Sequence, residues 1–390
     1  MKVVILGLTT TSRGGIAQYT NSLYTLFKEH HKTYLVPIVR QLFRDIYKSK
    51  DNQDVHKPSS QEAKDEWLVS LDPANPINWL HIGWSISKLK PDGVIVTWWA
   101  TTYWILSIGV VCKLIHIFAP KTRIVYWCHD VRFQGASRIR SGLVRSSLDQ
   151  ADGYLVHTQP QAKAILEIVP GAFVRVNPLP MLANGFPKDV LARSEARNKL
   201  GVPQTGEIAL FFGYIASYKG LEDLIDAAPL VKDEVSNFHL LIAGEIGDDS
   251  APILDIIRGL KADTFTTIVD RYIPDEEVQL YFRSANVLVL PYRDATQSGV
   301  AMLAYEFCLP IIASRVGGMP EILVHNLSGI LIQPGDVRGL SRALIKFFNN
   351  DMESRLVKGM DSQQAAFAPI LLMQAIEELI VDLREDPTMG

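Results

Sequence analysis

Cysteine is scarce in this chain: Cys112, Cys128 and Cys308 are the three thiols of 390 residues. An odd number with no CxxC spacing excludes a disulfide framework and a zinc site. Cys128 and His129 are neighbours but lack the other ligands a metal needs, so no metal is expected. No export signal is expected either, because MKVVILGL runs straight into a short strand and turn without an apolar h-region or cleavage site. A reducing cytoplasm is the expected setting. The turn after that strand is not Gly-x-Gly-x-x-Gly, which removes the strongest support for a dinucleotide site. No internal repeat or low-complexity tract is evident.

Charge of one sign is in little excess, with a net of −3, and nucleic acid is not an expected partner. The sum hides a split. Residues 1 to 185 hold 21 Lys and Arg against 13 Asp and Glu, which leaves 18 against 29 of the totals of 39 and 42 for the rest. The halves therefore carry +8 and −11. Arg40, Arg44, Lys48, Lys50, Arg132, Arg138, Arg140 and Arg145 read as loop residues, either a solvated surface or a face for phosphate or anionic lipid. Long apolar runs are also few. Trp98 to Pro120 is apolar for about 20 residues, the length of a membrane span, but Lys113 and His116 interrupt it. A strand ending near Thr97, a helix from about Tyr103 to Phe118 and a strand from Arg123 explain the same residues as one α/β unit. The aromatics Trp98, Trp99, Tyr103 and Trp104 also suit a headgroup interface.

What is present is alternation. Short β-rich runs and helical patterns follow one another almost throughout, which predicts parallel sheets covered by helices on both faces. Strands are read at Lys2 to Leu8, Thr33 to Val39, Gly93 to Thr97, Arg123 to Cys128, Gly153 to His157 and near Val174 to Val176. A second series is read at Ile208 to Phe212, His239 to Ala243, Thr267 to Asp270, Val287 to Leu290, Pro310 to Ala313 and Gly329 to Ile332. Asn177-Pro-Leu-Pro180, followed by Asn184, Gly185 and Pro187, is the densest breaker cluster, so the boundary is placed near residue 185. This makes an N-terminal domain of 1–185 and a C-terminal domain of 186–368, with a last helix, about 369–390, crossing back onto the first. Arg44 to Ser70 is polar and aperiodic and is read as a mobile loop.

Two turns stand out, Gly213-Tyr-Ile-Ala-Ser-Tyr-Lys-Gly220 and Thr296-Gln-Ser-Gly-Val300. Each follows an apolar strand and opens a helix, whose unpaired N–H groups and positive dipole end can cradle phosphate. Lys219 adds a full charge, unless it is only a surface lysine near a cap. Ser298 and Gly299 offer a hydroxyl and an open backbone, while Asp294 and Gln297 flank them within reach of sugar hydroxyls. Gly14-Gly15 begins the first helix, as a tight turn or as a place where a ligand nears the backbone. His129-Asp130 stands at a strand exit, where ligands bind in open α/β sheets, and His129 can donate to a hydroxyl or phosphate oxygen. His157 has a weaker claim at the next exit. Glu321, in the turn Gly317-Gly318-Met-Pro-Glu321, is read as a first-turn dipole partner.

In this order Gly14-Gly15, His129-Asp130, the Gly213 to Gly220 loop, Tyr272-Ile-Pro-Asp-Glu-Glu-Val278, Val289-Leu-Pro-Tyr292 and Ile311-Ile-Ala-Ser-Arg-Val-Gly-Gly-Met-Pro-Glu321 resemble family 4 of the retaining GT-B glycosyltransferases. The resemblance implies a GT-B fold, two Rossmann-like doubly wound domains facing a central cleft, with a nucleotide-sugar held mainly by the C-terminal one. It implies that Lys219 binds the donor diphosphate, that Tyr272 lies beside the base, that His129 faces the sugar and that Gly14 and Gly15 offer an amide to the distal phosphate. A UDP- or GDP-linked sugar is then a co-substrate and no cofactor is expected. The acceptor is a glycan or lipid-linked molecule at the inner face of the membrane. Two departures accompany it: the family's arginine after the first loop glycine is Tyr214 here, and its paired glutamates fall on Ala295 and Leu303. The Gln297-Ser298-Gly299-Val300 stretch resembles a variant branch in which a Gln-Ser-Gly turn replaces that pair, and Glu306 is read as an ordinary helix residue. A sugar-nucleotide epimerase and a non-catalytic nucleotide-sugar-binding module remain as alternatives.

Overall fold

The computed structural model describes residues 1–9, 14–38, 70–99, 101–131, 138–182, 191–247 and 265–386. The chain divides into two compact units, Met1–Ala183 with Pro369–Gly390, and Asn184–Ala368. The break near residue 185, the segment 44–69 and the basic residues Arg40, Arg44, Lys48, Lys50 and Arg132 lie outside the described residues.

The first unit holds a parallel sheet of β1 (Lys2–Gly7), β2 (Lys32–Pro37), β3 (Gly93–Trp98), β4 (Arg123–Cys128), β5 (Gly153–Val156) and β6 (Val174–Val176), in the order β2-β1-β3-β4-β5-β6. β3, β4 and β5 are buried along their whole length, the signature of strands covered on both faces. Connections run through α1 (Gly15–His30), α2 (Pro76–Leu89), α3 (Thr102–Phe118), α4 (Arg138–Leu148) and α5 (Gln159–Ile168). Right-handed crossovers set α1 on one face and α2 to α5 on the other, because the chain reverses direction at β1. The membrane-length run is thus strand, turn and helix, and no helix among the described residues is long and apolar enough to cross a membrane. Arg138, Arg140 and Arg145, read above as loop residues, belong to the helix α4.

The second unit repeats the plan with β7 (Glu207–Phe212), β8 (Phe238–Ala243), β9 (Thr266–Val269), β10 (Val287–Leu290), β11 (Ile311–Ser314) and β12 (Gly329–Ile332), ordered β12-β11-β10-β7-β8-β9. Its helices are α6 (Arg193–Leu200), α7 (Leu221–Glu234), α8 (Asp275–Ser284), α9 (Gly299–Glu306), α10 (Met319–Ile322), α11 (Val337–Asn349) and α12 (Glu353–Asp361). Far from the strand exits, the buried Arg197 guanidinium donates to the carbonyls of Ser284 and Gln204 and to Asn286 Oδ1, which fastens α6 to the end of α8. The sheets have the α/β doubly wound form of a GT-B fold.

The last helix, α13 (Pro369–Glu385), packs on the first unit. Two glycines make room for it: a Cβ on Gly93 would strike Ile380, and one on Gly153 would lie 2.8 Å from Leu383 Cδ1. Arg175 binds Glu378 at 2.8 Å and Asp382 at 2.7 Å, and His31 meets Glu377. Ile380 is fully buried, so Ile380→Ala should cost about 2–5 kcal/mol. All seven tryptophans lie before residue 128, so denaturant unfolding followed by tryptophan fluorescence reads the unit that α13 covers. An unchanged midpoint would show that α13 does not support it.

Candidate active site

In each sheet the strand order reverses direction at one point, where a crevice opens at the strand ends. In the second unit that point lies between β7 and β10, and the Lys219 and Ser298 turns leave these two strands. Past β7 the chain stays bonded to the exit of β8, through Gly213 N to Ala243 O at 2.9 Å and Ile215 N to Glu245 O at 2.8 Å. A short 3₁₀ turn, Ser217–Lys219, then leads to Gly220 at the cap of α7. Gly220 has φ +63°, and a Cβ there would overlap the Pro291 carbonyl oxygen. Only glycine lets the two exits touch.

Lys219 is 8% exposed, and among the described residues it makes no ion pair. Burial alone pushes its ammonium down to about 8. A buried cation without a counter-charge is costly and calls for an anion. Its Nζ lies 3.4 Å from where a Cβ of Gly213 would sit, and Val300 Cγ2 lies 3.4 Å from the same point. The two turns therefore converge across the bare face of Gly213, as a diphosphate cradle requires.

The second turn is built around Ser298, which is buried and caps α9 by accepting from Ala301 N at 3.2 Å. The first turn of α9 carries no acid, whereas that of α7 carries Glu222 and Asp223. The positive end of α7 is thus answered within the chain, and α9 is the helix whose amide end stays available for an anion. Glu306 closes α9 and is exposed, about 10 Å along the axis from Gly299. The half-buried Ala295 and Leu303 supply no carboxylate.

Three supports hold these turns, of which Arg293 lay outside every motif read from the sequence. Arg293, just past β10, donates through one terminal nitrogen to Asp223 Oδ1 at 2.7 Å and through Nε to Oδ2 at 3.3 Å, while its backbone N donates to Tyr218 O at 2.8 Å. Tyr292 is buried, in hydrogen-bond contact with Ser298, with its ring centre 5.8 Å from Lys219 Nζ. The turn after β11 buttresses the second loop: Gly318 N donates to Thr296 O at 3.0 Å, and a Cβ on Gly317, at φ +49°, would overlap the Ala295 carbonyl. Tyr292 and Arg293 together form a strut between the two turns. Arg293 in the Pro291-Tyr292-Arg293 exit of an apolar strand is the available signal, but its partner Asp223 lies 70 residues away.

Tyr272 follows β9 and is half-buried, so four adjacent strand exits, β10-β7-β8-β9, present Ser298, Lys219, Gly244 and Tyr272 in a row. Three strand spacings make this row about 14 Å long. Tyr214, at the position of the family's arginine, is exposed, and Gln297 and Asp294 are half-buried.

In the first unit the reversal lies between β1 and β3, and the Gly14-Gly15 turn follows β1. Gly14 has φ +112°, and neither glycine would bring a Cβ within 4 Å of another group. The 16-residue α1 has no acid in its first turn. His129 leaves β4 with its N–H bonded to Trp98 O at 3.0 Å and its carbonyl accepting from Gln161 Nε2 at 3.2 Å. Its ring lies 4.4 Å from that of Trp127 and 5.7 Å from that of His157. Burial, and then His157, hold the imidazole well below its usual range, so it is neutral at pH 7. Asp130 is exposed. His157 is locked: its Nε2 accepts from Trp127 Nε1 at 2.7 Å, and its Nδ1 lies 2.9 Å from Asn177 O. Indole only donates and carbonyl only accepts, so the proton is on Nδ1. Burial pushes His157 down to about 4, and it positions Trp127 beneath His129. Groups of His, Cys and carboxylates able to hold a metal are absent among the described residues.

A family model described as glycosyl transferases group 1 matches residues 192–361, which span the whole second site. Among curated proteins, the chain is 27% identical over 227 residues to the D-inositol 3-phosphate glycosyltransferase of Corynebacterium efficiens, covering 56% of this chain and 53% of that one. It is 29% identical over 212 residues to the Streptomyces avermitilis protein of the same description, covering 53% and 44%. The chain thus spans about half the length of the curated relatives it matches. Sucrose-phosphate synthase from Thermosynechococcus elongatus superposes with TM-score 0.75 at 20% identity, over 98% of this chain and 99% of that one. Anabaena HepE in complex with UDP-glucose gives 0.74 at 13%, over 97% and 99%. These structures share the GT-B fold, and the matched region 192–361 is similar to glycosyl transferases group 1.

Replacing the buried cation tests the site directly. Lys219→Met should stabilise the ligand-free protein below pH 8 by on the order of 3 kcal/mol, since the charged form is what the fold disfavours. The sign is that of a depressed lysine: the penalty is present below about 8 and fades as pH rises from there towards 10.5. The same variant should lose the thermal stabilisation that UDP or GDP confers, read by scanning calorimetry. Arg293→Met should cost little stability, about 1 kcal/mol for a half-exposed pair, yet weaken nucleotide binding about tenfold by loosening the strut.

Proposed function

We propose that the chain transfers a sugar from a nucleotide-sugar, UDP- or GDP-linked, to a glycan or lipid-linked acceptor, with retained anomeric configuration and without a metal. The observation that carries this is the buried, uncompensated Lys219 ammonium at the meeting point of the two donor turns. Cleaving the sugar–phosphate bond builds negative charge on the departing diphosphate. Lys219 and the amides at the start of α9 stabilise that charge from fixed positions. The row of strand exits is long enough for a nucleoside diphosphate to lie along it, with the base beside Tyr272 and the sugar hydroxyls towards Gln297 and Ser298. Gly14 and Gly15 offer amides to the distal phosphate. His129, neutral and fixed by its backbone bonds and by Trp127, hydrogen-bonds the transferred sugar.

Retention needs no side-chain nucleophile if the acceptor attacks on the face that the diphosphate leaves, with a phosphate oxygen taking the acceptor's proton. Net positive charge on the N-terminal half supports peripheral contact with an anionic membrane on the cytoplasmic side.

A panel of UDP-, GDP- and ADP-sugars in differential scanning identifies the donor. At a hundredfold excess over Kd the matching ligand should stabilise the chain by about 2.7 kcal/mol. Product analysis with and without acceptor then decides the reaction. Transfer with the anomeric configuration preserved supports the proposal, an epimerised nucleotide-sugar formed without acceptor contradicts it, and binding with neither transfer nor hydrolysis marks a non-catalytic module. The kcat/KM for donor should fall about tenfold per pH unit above about 8, as Lys219 loses its proton in the free enzyme.

A further inference from the structure

Two helices of the first unit turn apolar side chains outward. On α2, Ile77 is 78% exposed, with Leu80 and Trp84 exposed beside it. On α3, Tyr103, Leu106, Val110 and Ile117 are exposed, the last at 59%. Spacings of three, four and seven residues put each set on one helical face. α2 and α3 pack closely at Gly83, where a Cβ would lie 2.8 Å from Leu114, so the two stripes run side by side. α3 also buries Trp104, Ile108 and Ile115 against the sheet. It is apolar on both its core side and its outer side, which a helix meeting only water does not require.

Within the helices the charged side chains have one sign, with Asp72, Asp92 and Asp149 lying beyond their ends. α2, α3 and α4 contain no Asp or Glu. Exposed Lys88, Lys113 and Arg145 lie on them, with Lys90 and Lys121 beyond the ends of α2 and α3. Lys88 Nζ lies 3.4 Å from the ring centre of Trp84, so cation and aromatic form one amphipathic unit. On the opposite face of the same sheet, α13 carries Glu377, Glu378, Asp382 and Glu385. A second copy of the chain would bring two faces whose helices carry only positive charge against each other across a two-fold axis.

We infer that the α2–α3 face is a docking surface for an anionic lipid bilayer, with Trp84 and Tyr103 at headgroup depth, the aliphatic side chains below them and the lysines on lipid phosphates. The stripe begins at Ile77 and Tyr103, at the strand-exit edge of the sheet that also carries His129. The inference deepens the membrane contact of the proposed function and assigns it to a helical face instead of basic loops.

The full chain, without sugar nucleotide or acceptor, should float with vesicles containing about one-third phosphatidylglycerol in phosphatidylcholine, and about tenfold less with phosphatidylcholine alone. Molar salt should weaken binding. Leu80→Glu with Leu106→Glu, both at exposed positions, should reduce flotation about tenfold while the tryptophan-detected unfolding midpoint stays in place. Absence of vesicle binding by the native chain, or equal binding by the double variant, overturns the inference. A native dimer that the double variant converts to monomer, measured by light scattering, assigns the face to self-association and overturns it too. Donor binding in the scanning panel is independent of these results, so failure here leaves sugar transfer standing, and failure there leaves lipid docking standing.

Discussion

A single uncompensated ammonium group organises the second unit. Lys219 is buried, its proton affinity is lowered by burial alone, and among the described residues it makes no ion pair. A fold that keeps such a group does so against its own stability, by a margin comparable to one good core side chain. The surrounding geometry serves the same end: Gly220 lets the first turn touch Pro291, Gly213 leaves a gap between Lys219 and Val300, and Gly317 lets a third turn press on Ala295. Arg293 pairs with Asp223 at 2.7 Å and lies 3.9 Å from Glu222, the two acids in the first turn of α7.

Much of this was legible before any coordinates. Strands buried on both sides are written as continuous apolar runs, such as Ile208 to Phe212, and their bounds agree with the structure to within a residue or two. Glycines at strand exits and the cap residue Ser298 are local signals, and they mark the helix starts correctly. What was illegible depends on contacts between distant segments. The Arg293–Asp223 pair, the support of Thr296 by Gly318 and the locking of His157 by Trp127 and Asn177 join residues that have no shared local pattern. The basic residues of α4 read as loop because the segment Arg138–Leu148 is short, polar and rich in Arg and Ser, with a glycine in its middle. The α7 start was weighed as an equal partner of the α9 start, although its Glu222 and Asp223 were visible and answer its own dipole.

The two units divide the chemistry. The matched region, 192–361, holds the Lys219 and Ser298 turns, while the first unit holds a neutral histidine beside Trp127 and the exposed apolar face of α2 and α3. The acidic pair of the resembling family is missing at Ala295 and Leu303, so hydrogen-bond donors of the Gln297 to Val300 turn must take over its contacts in the proposed reaction. The exposed Tyr214 in place of arginine leaves Lys219 as the sole cation of its loop, which makes the account depend heavily on that one side chain.

The most direct measurement is a crystal structure with a bound nucleotide-sugar. The account predicts a diphosphate oxygen within hydrogen-bond distance of Lys219 Nζ and of the backbone N–H groups at the start of α9. A diphosphate bound elsewhere, or a Lys219 side chain turned away into solvent when the ligand is in place, would contradict it.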